Sequence, residues 1–91
     1  MHNDSEISIQ AHIIRFISDE LGISAREIDP DTNLGVYGLE SVAASKLIGT
    51  LEKEYALELS PVFVFEFPTI STLSGEIHKL AASRALSAMT K

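Results

Sequence analysis

The residues best suited to chemistry in this sequence lie in one short segment, Gly38-Leu39-Glu40-Ser41-Val42. Ser41 stands after a loop glycine and an acidic residue, where an amphipathic helix is predicted to begin. A serine at the N-cap of a helix has its hydroxyl beside backbone N–H groups that lack a partner within the helix. The positive end of the helix dipole also favours anions at that position, phosphate esters included. The segment therefore indicates either a simple helix cap or a serine that carries a phosphate-linked arm and is not itself catalytic.

The rest of the sequence does not indicate a catalytic site or a metal site. No metal site is expected, because no two of the histidines, His2, His12 and His78, are spaced i, i+4 and none has a carboxylate motif beside it. His12 and His78 are predicted to be solvated. Asp29 and Asp31 are typical turn residues and do not suggest an acid/base pair. The chain has no cysteine, so thiol chemistry would require a sulfur imported on a cofactor. Because 91 residues leave little room for a deep Ser-His-Asp site, a carrier or binding module that is not an enzyme is favoured.

Three main helices and one short helix are predicted to position Ser41. Apolar residues at spacings of three and four predict a first helix over residues 6–21, ended by Gly22. The second helix is predicted from Ser41 to about Tyr55, and the short helix over Pro61–Phe65. The last helix is predicted over residues 70–84, with Thr69 as its cap. The expected fold is all-α, a small four-helix bundle with a long first loop.

The second helix is predicted to have an inward and an outward face, because successive residues are about 100° apart around its axis. The inward face comprises Ala44, Leu47, Ile48, Leu51 and Tyr55. The outward face comprises Val42, Lys46, Gly49 and Lys53. A shared core is predicted to contain Leu47, Ile48, Leu51, Phe65, Ile77 and Leu80.

A long irregular link, residues 22–40, is predicted between the first and second helices. The run Ser24-Ala25-Arg26-Glu27 fits a capping box and predicts a single helical turn. A link of this length needs its own anchors in a compact domain. The predicted anchors are Ile28, Leu34, Val36, Tyr37 and Leu39.

Length and composition indicate one small soluble domain, predicted at residues 6–84 between an N-terminal tail, 1–5, and a fraying C-terminal tail or linker, 85–91. The net charge of -6 argues against nucleic-acid binding and favours basic patches on partner proteins. No apolar run is long enough to span a bilayer, and the N-terminus lacks the features of a signal peptide. We therefore expect a cytoplasmic protein without membrane association, monomeric as an isolated domain.

This pattern resembles the acyl carrier proteins, and most closely the carrier domains of modular polyketide synthases. The resemblance spans roughly residues 6–84, with the elements in the order found in that family. The family motif is usually G-x-D-S, and Glu40 stands where the aspartate is usual. The matching segments are Ile28-Asp29-Pro30-Asp31-Thr32, Tyr37-Gly38-Leu39-Glu40-Ser41, Leu47 to Glu52, and Phe65-Glu66-Phe67-Pro68-Thr69-Ile70.

The resemblance implies that Ser41 is the attachment point of a 4'-phosphopantetheine arm, taken from coenzyme A by a separate phosphopantetheinyl transferase. The arm would hold acyl intermediates as thioesters and present them to a ketosynthase, an acyltransferase and other polyketide synthase enzymes. Fatty-acid carriers usually have an acidic second helix, whereas the outward face here is apolar and basic, which favours the polyketide type. The residues implied in partner docking are Leu39, Glu40, Val42, Lys46 and Lys53.

Two alternatives stay open at this point. A peptidyl carrier domain of nonribosomal peptide synthesis would use the same arm, but such domains usually read G-G-x-S or G-G-D/H-S, and this motif has one glycine, Gly38. A cofactor-free helical interaction domain would use Ser41 only as a cap. The acyl chain, the individual partner enzymes and the free-standing or multidomain state of the protein are not specified by the sequence.

Overall fold

The computed structural model describes residues 5–60 and 62–89, with only the backbone for Ser41 and for residues 85–89. Four α-helices follow one another along the chain: α1 (Glu6–Leu21), α2 (Ser41–Tyr55), α3 (Phe63–Glu66) and α4 (Ile70–Met89). The α1–α2 loop contains two 3₁₀ turns, Ala25–Glu27 and Leu34–Tyr37. Within the described ranges there is no β-strand, only an isolated antiparallel bridge between Asn33 and Thr69. The predicted all-α fold with a long first loop is confirmed.

Helix α1 has the predicted bounds and a defined cap at each end. The Ser5 hydroxyl oxygen accepts a 3.2 Å hydrogen bond from the Ser8 N–H at the start. Gly22 ends the helix with φ of 69°, in the left-handed region that glycine adopts without steric cost. The helix packs chiefly against α4, and its core-facing residues recur every four positions as Ile9, Ile13 and Ile17, all fully buried.

Both faces predicted for α2 are confirmed. Ala44, Leu47, Ile48 and Leu51 are buried and Tyr55 is half-buried, whereas all four outward residues are exposed. Across from α2, His12 is half-buried on α1, and its Nδ1 lies 3.3 Å from the Tyr55 hydroxyl. The expectation that His12 is solvated was therefore wrong, because a polar partner on the neighbouring helix holds the ring against the bundle.

Helix α3 is a single turn over Phe63–Glu66, and the predicted start at Pro61 lies outside the described residues. Phe63 and Val64 are buried, but Phe65 is 65% exposed, so its assignment to the core was wrong. The rings of Phe63 and Phe67 pack with centroids 5.0 Å apart, one helical turn from each other. Phe65 lies two positions from each, about 200° around the axis, and so points away from the core.

Helix α4 begins at the predicted cap and ends later than predicted. The Thr69 hydroxyl oxygen accepts a 3.1 Å hydrogen bond from the Thr72 N–H. Ile70, Leu73 and Ile77 are fully buried. The helix continues to Met89, past the predicted end at residue 84, because residues 85–89 contain neither glycine nor proline to stop it.

Most of the predicted shared core is confirmed: Leu47, Ile48, Leu51 and Ile77 are buried, and Leu80 is half-buried against them. The predicted domain limits, 6–84, stay a prediction, and residues 1–4 and 90–91 of the predicted tails lie outside the described residues. No helix in the described part of the chain is both long enough and apolar enough to cross a bilayer.

Candidate functional site

The loop before α2 is anchored by buried apolar side chains. Ile28, Leu34 and Leu39 are 5%, 1% and 6% exposed, and Tyr37 is half-buried, as predicted. Val36 is 74% exposed, so its predicted role as an anchor was wrong. In a 3₁₀ turn residues three apart lie on the same side, so Leu34 and Tyr37 both face inward and Val36 between them faces out.

Hydrogen bonds within the loop fix the approach to Ser41. The Tyr37 hydroxyl oxygen accepts a 2.6 Å bond from the Asp29 N–H. Gly38 has φ of 85°, ends the second 3₁₀ turn, and donates its N–H to the Gly35 carbonyl at 3.0 Å. The Leu39 N–H then reaches the Leu34 carbonyl at 3.3 Å. The chain therefore enters α2 from a closed turn, and Leu39, the last apolar residue before the helix, is buried in the core.

The same loop is bonded to the start of α4. The Leu34 N–H donates to the Pro68 carbonyl at 2.8 Å, and the Ser71 N–H donates to the Pro30 carbonyl at 2.9 Å. The Ser71 hydroxyl also donates to the Asp31 carboxylate at 2.8 Å. The segment that precedes Ser41 is thus held between α4 and the core.

Helix α2 begins at Ser41, but its N-cap is Glu40. The Glu40 backbone is extended, with φ of -111° and ψ of -174°, and its carbonyl accepts a 2.7 Å bond from the Ala44 N–H, the first of the helix. The prediction of Ser41 as the N-cap was therefore wrong by one position, and Ser41 is the first helical residue. The predicted exposure of its side chain lies outside what the structure describes.

The helix start around Ser41 suits a phosphate ester. The Glu40 side chain makes no capping hydrogen bond, so it does not satisfy the first backbone N–H groups of α2. Those donors and the positive end of the helix dipole favour a negatively charged group there. In the described ranges, no group of three or more His, Cys, Asp or Glu side chains could hold a metal ion.

Four of the five residues predicted to dock partners are exposed. Glu40 and Lys53 are exposed, and Val42 is 70% exposed. Lys46 has a side chain 57% exposed, and its Nζ lies 2.9 Å from a carboxylate oxygen of Glu20 on α1. The outward face of α2 therefore presents an apolar residue near Ser41 and two lysines further along.

The fifth residue, Leu39, is only 6% exposed, so its side chain serves the core and offers little surface to a partner. Val62 and Phe65 are apolar residues exposed by 51% and 65%, at the start of α3 and within it, and the sequence did not identify them as surface residues. The sequence does hold one signal for Phe65, its position two residues from both Phe63 and Phe67. In a helix this offset places Phe65 on the opposite face, but the signal can be used only once the segment is known to be helical.

Comparison with protein families and curated proteins gives concordant matches. A family model described as "Phosphopantetheine attachment site" matches residues 11–77. Polyketide synthase PksN of Bacillus subtilis (strain 168) is 34% identical over 67 residues, which are 74% of this chain and 1% of that protein. The chain thus spans a very small part of this large relative.

Two solved structures are also similar. The HMG-ACPI domain from the CurA module of Lyngbya majuscula has a TM-score of 0.82 at 22% identity, over 93% of this chain and 86% of that chain, a likeness of fold. A free-standing peptidyl carrier protein from an uncharacterized secondary metabolic pathway of Acinetobacter baumannii has a TM-score of 0.77 at 31% identity. That match covers 89% of this chain and 98% of the other.

Proposed function

The chain belongs to the phosphopantetheine attachment-site family, whose prosthetic group is 4'-phosphopantetheine, and from this premise we propose that Ser41 is the residue that carries the arm. The observation that carries the proposal is the position of Ser41, within the matched residues 11–77 and at the first residue of α2. The anchored loop supports it, because Leu39 and Tyr37 hold the preceding backbone in one conformation.

The residues of this chain would accept and position the group without catalysing its attachment. The Ser41 hydroxyl oxygen would form an ester bond to the phosphorus that bears the pantetheine, as the pyrophosphate bond of coenzyme A breaks. Adenosine 3',5'-bisphosphate would leave, and a separate transferase would take the hydroxyl proton. The first backbone N–H groups of α2, which the Glu40 side chain does not cap, would then lie near the ester's negative charge. The attached arm supplies the thiol that this cysteine-free chain lacks, so acyl groups can be held as thioesters.

We propose acyl intermediates of polyketide synthesis as the cargo. The similarity to polyketide synthase PksN and the single glycine before Leu39-Glu40-Ser41 support this choice. A peptidyl carrier is the second candidate, because the Acinetobacter baumannii peptidyl carrier protein matches over nearly its whole length. Loading assays with malonyl and with aminoacyl groups on the modified chain test the choice: malonyl loading alone supports the polyketide cargo, and aminoacyl loading alone supports the peptidyl carrier.

The partners proposed for this chain are a phosphopantetheinyl transferase and polyketide synthase enzymes, among them a ketosynthase and an acyltransferase. We place the protein in the cytoplasm, as a monomeric, non-catalytic carrier. The exposed side chains of Glu40, Val42, Lys46 and Lys53 would form the docking surface, and Phe65 extends it as an exposed apolar residue of α3. The Val42 side chain would be buried against an apolar group of the partner, whereas the lysines would pair with acidic groups of the partner.

Intact mass spectrometry after incubation with coenzyme A and a transferase tests the attachment site. The native chain should gain the mass of one phosphopantetheinyl group, and Ser41→Ala should gain none while keeping its helical circular dichroism. Ser45→Ala is the matched control, since Ser45 is exposed one turn later on α2 and should leave the gain intact. An arm found on Ser45, Ser60 or Ser71 would overturn the assignment.

A further inference from the structure

A shallow groove lies between the outer side of α1 and the first 3₁₀ turn of the loop. Its volume is about 440 Å³. It is lined by Ala11, Ile14, Arg15, Ser18, Ala25 and Arg26. The floor is therefore apolar, with an arginine contributed by each of the two elements.

This groove faces away from α2. The side chains of His12 and Glu20 on α1 make bonds to α2. At about 100° per residue, Ala11 and Ser18 lie roughly 100–180° around the α1 axis from those two residues. The groove is thus separate from the docking surface proposed around Ser41.

The groove also continues a stripe along α1 that the bundle covers only in part, since Ala11 is exposed and Ile14 and Ser18 are half-buried. Ile7 is 81% exposed, and it precedes Ala11, Ile14 and Ser18 at helical spacings of four, three and four. An exposed isoleucine in line with an apolar groove makes a larger apolar surface than scattered single residues do. Such a stripe has the spacing that a partner helix contacts.

The charges at this groove are unlike those of the chain as a whole. The net charge of the chain is -6, yet both charged side chains in the groove are cationic. Among the described residues, neither Arg15 nor Arg26 forms an ion pair, whereas Lys46 pairs with Glu20 and Lys79 with Glu76. Because a guanidinium binds carboxylates with several aligned N–H donors, two unneutralised arginines beside an apolar floor complement an acidic amphipathic segment.

We propose that this groove docks an acidic amphipathic helix of a partner protein. Apolar side chains of that helix would cover Ala11 and Ile14, and its carboxylates would bind Arg15 and Arg26. The proposal goes beyond attachment at Ser41 and does not depend on it, because none of the groove residues belongs to α2 or to the stretch 34–40 that leads into it.

A pair of synthetic helical peptides provides the probe. One peptide has leucines along one face and glutamates elsewhere, and its partner has lysines in place of the glutamates. Each is titrated into the ¹⁵N-labelled full chain, and amide chemical shifts are followed by NMR. We expect the glutamate peptide to shift the amides of Ala11, Ser18 and Ala25, with binding that weakens as salt rises. Because the chain is acidic overall, non-specific attraction would favour the lysine peptide, so a preference for glutamate tests the two arginines.

Single charge reversals then test the contact residues. Arg15→Glu and Arg26→Glu should each weaken binding of the glutamate peptide about fivefold or more, since each replaces attraction with repulsion. Arg84→Glu is the matched control, because it makes the same charge change at an exposed position of α4 outside the groove, and it should change the affinity by less than about twofold. Circular dichroism verifies that each variant is folded.

Three results would overturn the proposal. Equal or tighter binding of the lysine peptide would show that the arginines do not select the partner. Shifts centred on α2 would place the contact at the other surface. Concentration-dependent dimerisation that Arg15→Glu abolishes would show that a second copy of this chain fills the groove.

Discussion

Replacing Leu39 with alanine removes the apolar anchor that lies two residues before Ser41. Leu39 is 6% exposed and packs in the core cluster with Leu34 and Ala44. The substitution deletes three carbon atoms, which at about 0.8 kcal/mol each gives about 2.4 kcal/mol of lost burial. A cavity term adds to this loss, but Leu39 lies in a loop whose neighbours can partly close the space. We therefore expect Leu39→Ala to lower the free energy of unfolding by about 2–3 kcal/mol.

Urea unfolding followed by circular dichroism measures this loss, and thermal unfolding should show a midpoint lower by roughly 10–20 °C. Val36→Ala is the matched control, since Val36 is in the same loop and 74% exposed; it should cost no more than about 0.5 kcal/mol. Leu39→Ala should also lower kcat/KM for phosphopantetheinyl transfer, because the backbone that enters α2 loses its anchor. A stability loss below about 0.5 kcal/mol, or an equal loss in Val36→Ala, would refute the anchoring role.

Two further pairs of variants test the surface of α2 and the orientation of α3. Lys46→Glu breaks the exposed 2.9 Å ion pair with Glu20, so it should cost at most about 1 kcal/mol of stability. It should also slow phosphopantetheinyl transfer to Ser41, and this effect should diminish as salt rises, because salt screens exposed charges. Val42→Asp should slow the same reaction with less salt dependence, because the free energy that is lost comes from burial of an apolar contact. Unchanged transferase and ketosynthase kinetics in both variants would place recognition elsewhere. Phe63→Ala should cost about 3–5 kcal/mol in urea unfolding and Phe65→Ala no more than about 0.5, and similar losses for the two would contradict the orientation of α3.

The long helices were predictable because their apolar residues repeat over several turns. In α1, Ile9, Ile13 and Ile17 define one face by themselves, and Gly22 gives a clear stop. In α2 the same repeat separated Leu51 from the outward lysines. Each assignment rested on at least three turns of consistent pattern, so a single atypical residue did not alter it.

Short segments were less predictable because one turn contains no repeat. Val36 and Phe65 are apolar residues in segments of four, and only the placement of their neighbours shows that they face solvent. The contact between His12 and Tyr55 joins positions 43 apart, so it depends on how two helices pack and not on local sequence. The one-residue difference at Ser41 arose because serine is common as a cap, and composition alone did not distinguish the cap from the first helical residue.

The two backbone hydrogen bonds that join the loop to α4 bear on the order of folding. They connect residues 34 and 41 positions apart, Leu34 with Pro68 and Pro30 with Ser71, whereas helical bonds connect residues four apart. Contacts between distant residues require loop closure before they contribute, so these bonds should form late, after the helices have begun to assemble. In the native protein the loop could then open as a unit while the helices persist, and hydrogen exchange at the Leu34 and Ser71 amides would measure that opening. The conformation that leads into Ser41 would be the last part of the molecule to form and the first to be lost.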